Sequence, residues 1–328
     1  MFNGEATAGV VGPFQKVQYQ DAVQYILYPW MMILLFIVAG MCSRYYLETH
    51  SIKEFVKSRT TKLLVPSTVG LFVFGWIQGY FNIQLSIGLE NLKLPKPLIY
   101  PIMAISGTGV LWFIQLLWIF SMLLTLIRHF EKGKLYEFCG KANMIAVLAL
   151  VIPVYASSFI LNTPIVLVYR FGFYGTAFLL GYFVFAHEEV IERISKWNVL
   201  LIALSFILAG VYLYTHFGDN YAENPTFNSI PAILYAWSMC LAILGSSYKW
   251  YNRKTNFSAF MTKRSFGLYV FHYLPLSASA YILTKYADLP PVLTYLIVLV
   301  SGLAGGLILG EIIPKIPFVR WAVLGIKK

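Results

Sequence analysis

Nine runs of mainly apolar residues recur along the chain, near 24–47, 63–82, 108–128, 142–162, 167–186, 198–216, 228–248, 264–284 and 292–313. Each approaches the roughly 20 residues that a helix needs to cross the hydrocarbon core of a bilayer. Short polar stretches separate the runs. The pattern predicts an all-α, polytopic transmembrane helix bundle with about nine spans, forming one membrane-embedded domain over 1–328. Composition agrees, since 59% of the 328 residues are hydrophobic and 12% charged, against about 25% charged in an ordinary soluble domain.

The basic residues orient the predicted spans. Arg44, Lys53, Lys57, Arg59 and Lys62 follow the first run, and Arg128, Lys132, Lys134 and Lys141 follow the third. Counting also the stretches after the fifth, seventh and ninth runs, this side holds 20 of the 25 basic residues. The opposite side holds Lys16, Lys93, Lys96, Arg170 and Lys285. The positive-inside rule then places the C-terminus in the cytoplasm and the N-terminus outside, in a multi-pass protein of the cell membrane. Clusters arranged in this way also account for the formal net charge of +11, so nucleic acid is not expected as a partner. Met1–Val23 lacks the basic stretch and apolar core of a signal peptide. An outside N-terminus reached without a signal leads to the expectation of one further helix before Met1, which makes ten spans in all.

Several features admit two readings. The long outer connection from Asn82 to Gly107 carries Pro95, Pro97 and Pro101, as a lid, an acceptor-binding loop or a plain connector would. Gly302, Gly306 and Gly310 flatten one face of the last run for close approach, with packing inside the chain favoured over dimerisation. Cys42, Cys139 and Cys240 are scattered beside apolar runs and read as packing residues. The sequon Asn256-Phe257-Ser258 falls on the cytoplasmic side and is discounted as a glycosylation site. No internal repeat is evident, which weakens the case for an inverted-repeat transporter.

Ionisable groups inside spans are expensive and are functional candidates by default. His272, at the end of Ser265-Phe-Gly-Leu-Tyr-Val-Phe-His272, is the first of them. It suits a proton acceptor or a hydrogen-bonding core residue. Arg59 and Lys62 stand three residues apart, on one face of a helix entering the membrane. A forked guanidinium beside an ammonium suits a phosphate, although ordinary positive-inside anchors would look the same. Arg44 and Arg128 read as such anchors. Arg170 is placed to contact an anionic acceptor or to snorkel outward. Glu311 is placed to pair with a basic loop residue. His50, His129, His187 and His216 lie at helix ends and read as interfacial. There is no glycine-rich phosphate loop, zinc-protease pattern or nucleophile elbow, and no metal is expected.

Four of these segments resemble the integral-membrane acyltransferases of acyltransferase family 3. Trp30-Met-Met-Ile-Leu-Leu-Phe-Ile-Val-Ala-Gly40-Met resembles the family's apolar FFxSG span. Phe55-Val-Lys-Ser-Arg59-Thr-Thr-Lys62-Leu-Leu-Val-Pro66 resembles its F-x-x-x-R-x-x-R-L-x-x-P approach to the next helix. Gly109-Val-Leu-Trp112-Phe-Ile is similar to its LWF helix, and the segment ending at His272 to its SYGIYLxH helix. Ala39 replaces the usual Ser and Lys62 the usual second Arg. The family's first helix carries a basic residue and, further along, a His regarded as catalytic. This chain begins after that point, and Met1–Asp21 looks like the loop that follows.

The resemblance implies a chemistry. Cytoplasmic acyl-CoA, in particular acetyl-CoA, would dock its phosphates near Arg59 and Lys62. The acyl group would pass to a hydroxyl of a carbohydrate or glycolipid of the cell envelope, with a His as general base or transient acyl carrier. Without the first helix the chain is expected to be inactive or impaired, because His272 is not thereby shown to replace the absent His. Two other classes stay open: a transporter or flippase for a polysaccharide or lipid-linked intermediate, and an inactive partner completed by another protein. The acceptor, the acyl chain and the oligomeric state, a homo-oligomer included, are left undetermined.

Overall fold

The structure is a computed structural model that describes residues 21–85, 95–161, 169–251, 253 and 255–326. Every regular element among these residues is helical: α1 (Ala22–Thr49), α2 (Ile52–Leu85), α3 (Lys96–Ser106), α4 (Gly109–Glu131), α5 (Lys134–Cys139), α6 (Met144–Ser157), α7 (Phe171–Phe185), α8 (Glu188–Lys196), α9 (Asn198–His216), α10 (Asn224–Phe227), α11 (Ile230–Tyr251), α12 (Asn256–Phe271), α13 (Tyr273–Tyr286), α14 (Pro291–Lys315) and α15 (Pro317–Leu324). A bilayer demands this, because an amide in hydrocarbon must find its partner within its own segment or a closed barrel.

Each of the nine apolar runs contains a helix among the described residues. Six helices, α1, α2, α4, α9, α11 and α14, are long and apolar enough to cross a membrane, and α12 with α13 makes a seventh, bent by 48°. The runs near 142–162 and 167–186 form the shorter helices α6 and α7. The proline-rich connection holds a helix of its own, α3, where Pro97 occupies the first turn and its missing N–H is harmless. Residues 86–94 of that connection and residues 1–20, read above as a loop, lie outside the described residues.

The chain divides into two compact units. One comprises 22–56 and 119–253. Here α1 packs on α7 and α11, and α9 packs on α11. The α1–α7 crossing is a backbone contact. A Cβ at Gly40 would lie 2.1 Å from the Phe178 carbonyl oxygen, and one at Gly181 would lie 2.0 Å from that of Ile37. Beside the crossing, the Phe36 ring meets Tyr174 at 4.9 Å and Phe120 at 5.5 Å.

Two arginines of this unit rest on aromatic rings, Arg170 buried and Arg44 partly so. Arg170 is 1% exposed, so it does not snorkel. Its guanidinium lies 3.7 Å from the Phe227 ring centre and donates to the Ala222 carbonyl at 2.5 Å and to the Tyr28 hydroxyl at 3.3 Å. Arg44 lies 3.7 Å over the Tyr136 ring and pairs with Glu48 at 3.1 Å. His187 stacks on the same ring, centres 3.8 Å apart, and Arg193 donates to the Gly140 and Ala142 carbonyls. Together these contacts fasten the short helix α5, whose six residues are too few to hold a helix unaided. The amphipathic α8 carries Glu188 and Glu189 in its first turn and Arg193 and Lys196 in its last, matching its dipole.

The other unit comprises 1–21, 57–118 and 254–328. α14 packs along α12 and α13, α13 on the later part of α2, and α15 on Val65–Gly70 of α2. Gly302 and Gly306 face Leu268, His272 and Leu276, so the small-residue face expected from the sequence does pack inside the chain. Gly181→Leu should destabilise the protein by about 2 kcal/mol or more through overpacking. Gly210→Leu, where a Cβ meets nothing within 4 Å among the described residues, should leave the thermal midpoint in detergent unchanged.

Candidate active site

Arg59 and Lys62 enter the unit of 57–118 and 254–328 on a π-helical turn, Thr60–Leu64. The cause is Pro66, which has no N–H to offer the Lys62 carbonyl four residues back. The chain relaxes by widening the turn, a feature often found at functional sites. The hydroxyl of Ser67 donates to the carbonyls of Leu63 at 2.7 Å and Leu64 at 3.2 Å, and Trp118 Nε1 donates to Thr60 Oγ1 at 3.2 Å. The wider winding spreads the two cations further around the axis than an α-helix would, leaving Arg59 half-buried and Lys62 exposed.

Beyond this turn the same side of α2 presents Pro66, Gly70, Phe74 and Gln78, which line a narrow seam against Val270, Tyr273 and Leu274. Its free volume is about 30 Å³, enough for a water molecule. At its end is a buried polar network. Gln78 Nε2 donates to Asn82 Oδ1 at 2.8 Å and to Ser277 Oγ at 2.7 Å, and Asn82 Nδ2 donates to the Ser106 carbonyl at 2.7 Å. Among the described residues, Gln78 Oε1 is buried without a hydrogen-bond partner. Sequence reasoning passed over Gln78, Asn82 and Ser277. The four-residue spacing of two amides in an apolar run was the available signal, whereas Ser277 joins them from 199 residues away.

His272 sits at the break between α12 and α13. Pro275 explains the break, because it offers no N–H to the Phe271 carbonyl and forces a bend. His272 Nδ1 lies 3.0 Å from the Leu268 carbonyl oxygen and 2.9 Å from that of Tyr269. Carbonyls only accept, so Nδ1 carries a proton, and in the uncharged form of the ring the lone pair is on Nε2. That tautomer is competent as a base. Gly306 lets α14 approach so closely that a Cβ there would lie 2.9 Å from His272 Cα. The structure thus gathers Arg59, Lys62 and the α2 seam along one helix. It sets His272 at the seam's edge, where its neighbour Tyr273, rather than its own ring, forms the wall. Glu311 does pair with a basic residue, meeting Arg264 at 2.6 Å. Among the described residues, no three His, Cys, Asp or Glu side chains cluster at metal-ligating range.

A helix with a basic π-helical turn, a broken partner helix and a polar network between them is a setting suited to a polar reaction inside a membrane protein. The family model described as acyltransferase domain, Acyl_transf_3, matches residues 7–311. The chain belongs to acyltransferase family 3. No curated protein and no solved structure matches it. It is therefore a membrane acyltransferase, and Arg59, Lys62, Gln78 and His272 all fall within the matched acyltransferase domain.

Pro275→Ala should return a donor to the Phe271 carbonyl and straighten the α12–α13 pair. Spin labels on the exposed positions Phe260 and Ile282 would then move apart in pulsed electron resonance. An unchanged distance distribution would mean that the bend has another cause.

Proposed function

We propose that this acyltransferase moves an acyl group, in the first instance acetyl, from acyl-CoA to a hydroxyl of a carbohydrate or glycolipid of the cell envelope. The observation that carries the reading is the basic π-helical turn at the head of the α2 seam, within a chain of the acyltransferase family. Arg59 supplies a forked donor and Lys62 a point charge for the donor's phosphates. The thioester lies within the membrane-embedded domain, and the positive-inside distribution puts its point of arrival and the C-terminus on the cytoplasmic side of the cell membrane.

In the transfer, the acceptor hydroxyl oxygen attacks the thioester carbonyl while His272 Nε2 takes the hydroxyl proton. The carbon–sulfur bond then breaks, and the coenzyme A thiolate leaves and is protonated by the imidazolium. The product is an ester, and the base returns to its starting state. Holding Nδ1–H on two carbonyls fixes the ring's orientation and helps stabilise the imidazolium formed in passing.

Membranes containing the protein, supplied with radiolabelled acetyl-CoA and an envelope extract, provide the test. Arg59→Ala should raise KM for acetyl-CoA about tenfold or more, with Arg59→Lys in between. His272→Gln should lower kcat by about two to four orders of magnitude with little change in KM. Full activity in His272→Gln would assign the base to another group. Movement of a polysaccharide precursor across the membrane without acyl-CoA would point to a transporter instead.

A further inference from the structure

The turn that carries Arg59 and Lys62 is backed by the end of the chain. Gly325, in the left-handed region at φ +65°, ends α15 and presses on α2, where a Cβ would lie 2.1 Å from the Thr61 carbonyl oxygen and 2.9 Å from Lys62 Cα. Its neighbours Leu324 and Ile326 face the other way, into a cavity of about 340 Å³ whose remaining walls come from α12 and α14. One residue of backbone therefore separates this cavity from Lys62. Its volume is within the range of small-molecule pockets.

The lining has a polar and an apolar part. Lys263 and Arg264 stand on one side, and Leu268, Leu307, Leu324 and Ile326 give a surface for a flat ring. Arg264 is already engaged. It bonds Glu311 at 2.6 Å and lies 4.1 Å over the Phe260 ring. The pair is weak currency, however, since the Arg264 side chain is 34% and that of Glu311 56% exposed, and ion pairs open to water contribute little. A dianion entering the cavity could take over the guanidinium and release Glu311 to solvent at small expense.

We propose that this cavity receives the nucleotide end of the donor. The purine lies on the apolar wall, and the ribose phosphate is bound by Arg264 and Lys263 in competition with Glu311. The identity of the nucleotide rests on the acyl-CoA reading above. In that arrangement the pyrophosphate meets Arg59 and Lys62 on the far side of Gly325, so the C-terminal turn separates two phosphate subsites.

The test is equilibrium binding to the intact protein in phosphatidylcholine nanodiscs, with coenzyme A and dephospho-coenzyme A as probes. Arg264→Gln should weaken coenzyme A by about tenfold and leave dephospho-coenzyme A unchanged. Glu311→Gln should tighten coenzyme A, an effect opposite in sign to the loss expected from removing a merely structural ion pair. Lys263→Gln, at an exposed position, should weaken coenzyme A selectively without endangering the fold. Equal losses for both probes, or weaker binding in Glu311→Gln, would overturn the assignment. So would displacement of coenzyme A by phosphatidylglycerol retained through Arg264, which would make the cavity a lipid headgroup site. Binding is read without turnover, so absence of acyl transfer would count against the proposed reaction and not against this site.

Discussion

A peptide group in hydrocarbon has no water to turn to, and this constraint organises the molecule at every scale. It makes the described elements helical, and it makes any interruption of a helical ladder conspicuous. Proline interrupts α2 at Pro66 and the α12–α13 pair at Pro275. Close to each proline a side chain adds a hydrogen bond to carbonyls of its own helix: Ser67 Oγ to those of Leu63 and Leu64, and His272 Nδ1 to those of Leu268 and Tyr269. The candidate residues lie at these interruptions. The basic pair is spread by the widened turn before Pro66, and the imidazole is given its tautomer by the carbonyls before Pro275.

The same constraint governs the charges. A guanidinium cannot be buried cheaply, and the unit of 22–56 and 119–253 gives the buried Arg170 and the partly buried Arg44 aromatic faces and oxygen acceptors. Arg170 rests on Phe227 and Arg44 on Tyr136. Such rings accept a cation through their quadrupole while packing as apolar surface, which suits a medium hostile to free carboxylates. A chain with 17% aromatic residues has the means to do this repeatedly.

The membrane fold was legible in the sequence because span length and apolar content are one-dimensional properties. Each of the nine runs contains a helix, six or seven of them long enough to span among the described residues, and the pairing of Glu311 with a basic residue was anticipated. Lengths were less legible: α6 and α7 end earlier than their apolar runs, since apolarity does not record where a helix stops. Arg44 read as an anchor because its partners Tyr136 and Tyr182 are distant in sequence. For the same reason Ser277 was not linked to Gln78 and Asn82. The tautomer of His272 depends on how its ring folds back on the Leu268 and Tyr269 carbonyls, which a linear pattern does not record. The family was legible from four short segments whose order mattered more than any one of them.

The break at His272 also determines which half of the bent span owns the imidazole. Its proton-bearing nitrogen is tied to carbonyls of α12, whereas its neighbour Tyr273, which forms the wall of the seam, begins α13. If α13 tilts on its proline joint, the seam changes width while the imidazole keeps its bearing on α12. Aim and aperture are thus mechanically separate, so a change in the width of the seam leaves the orientation of the imidazole undisturbed.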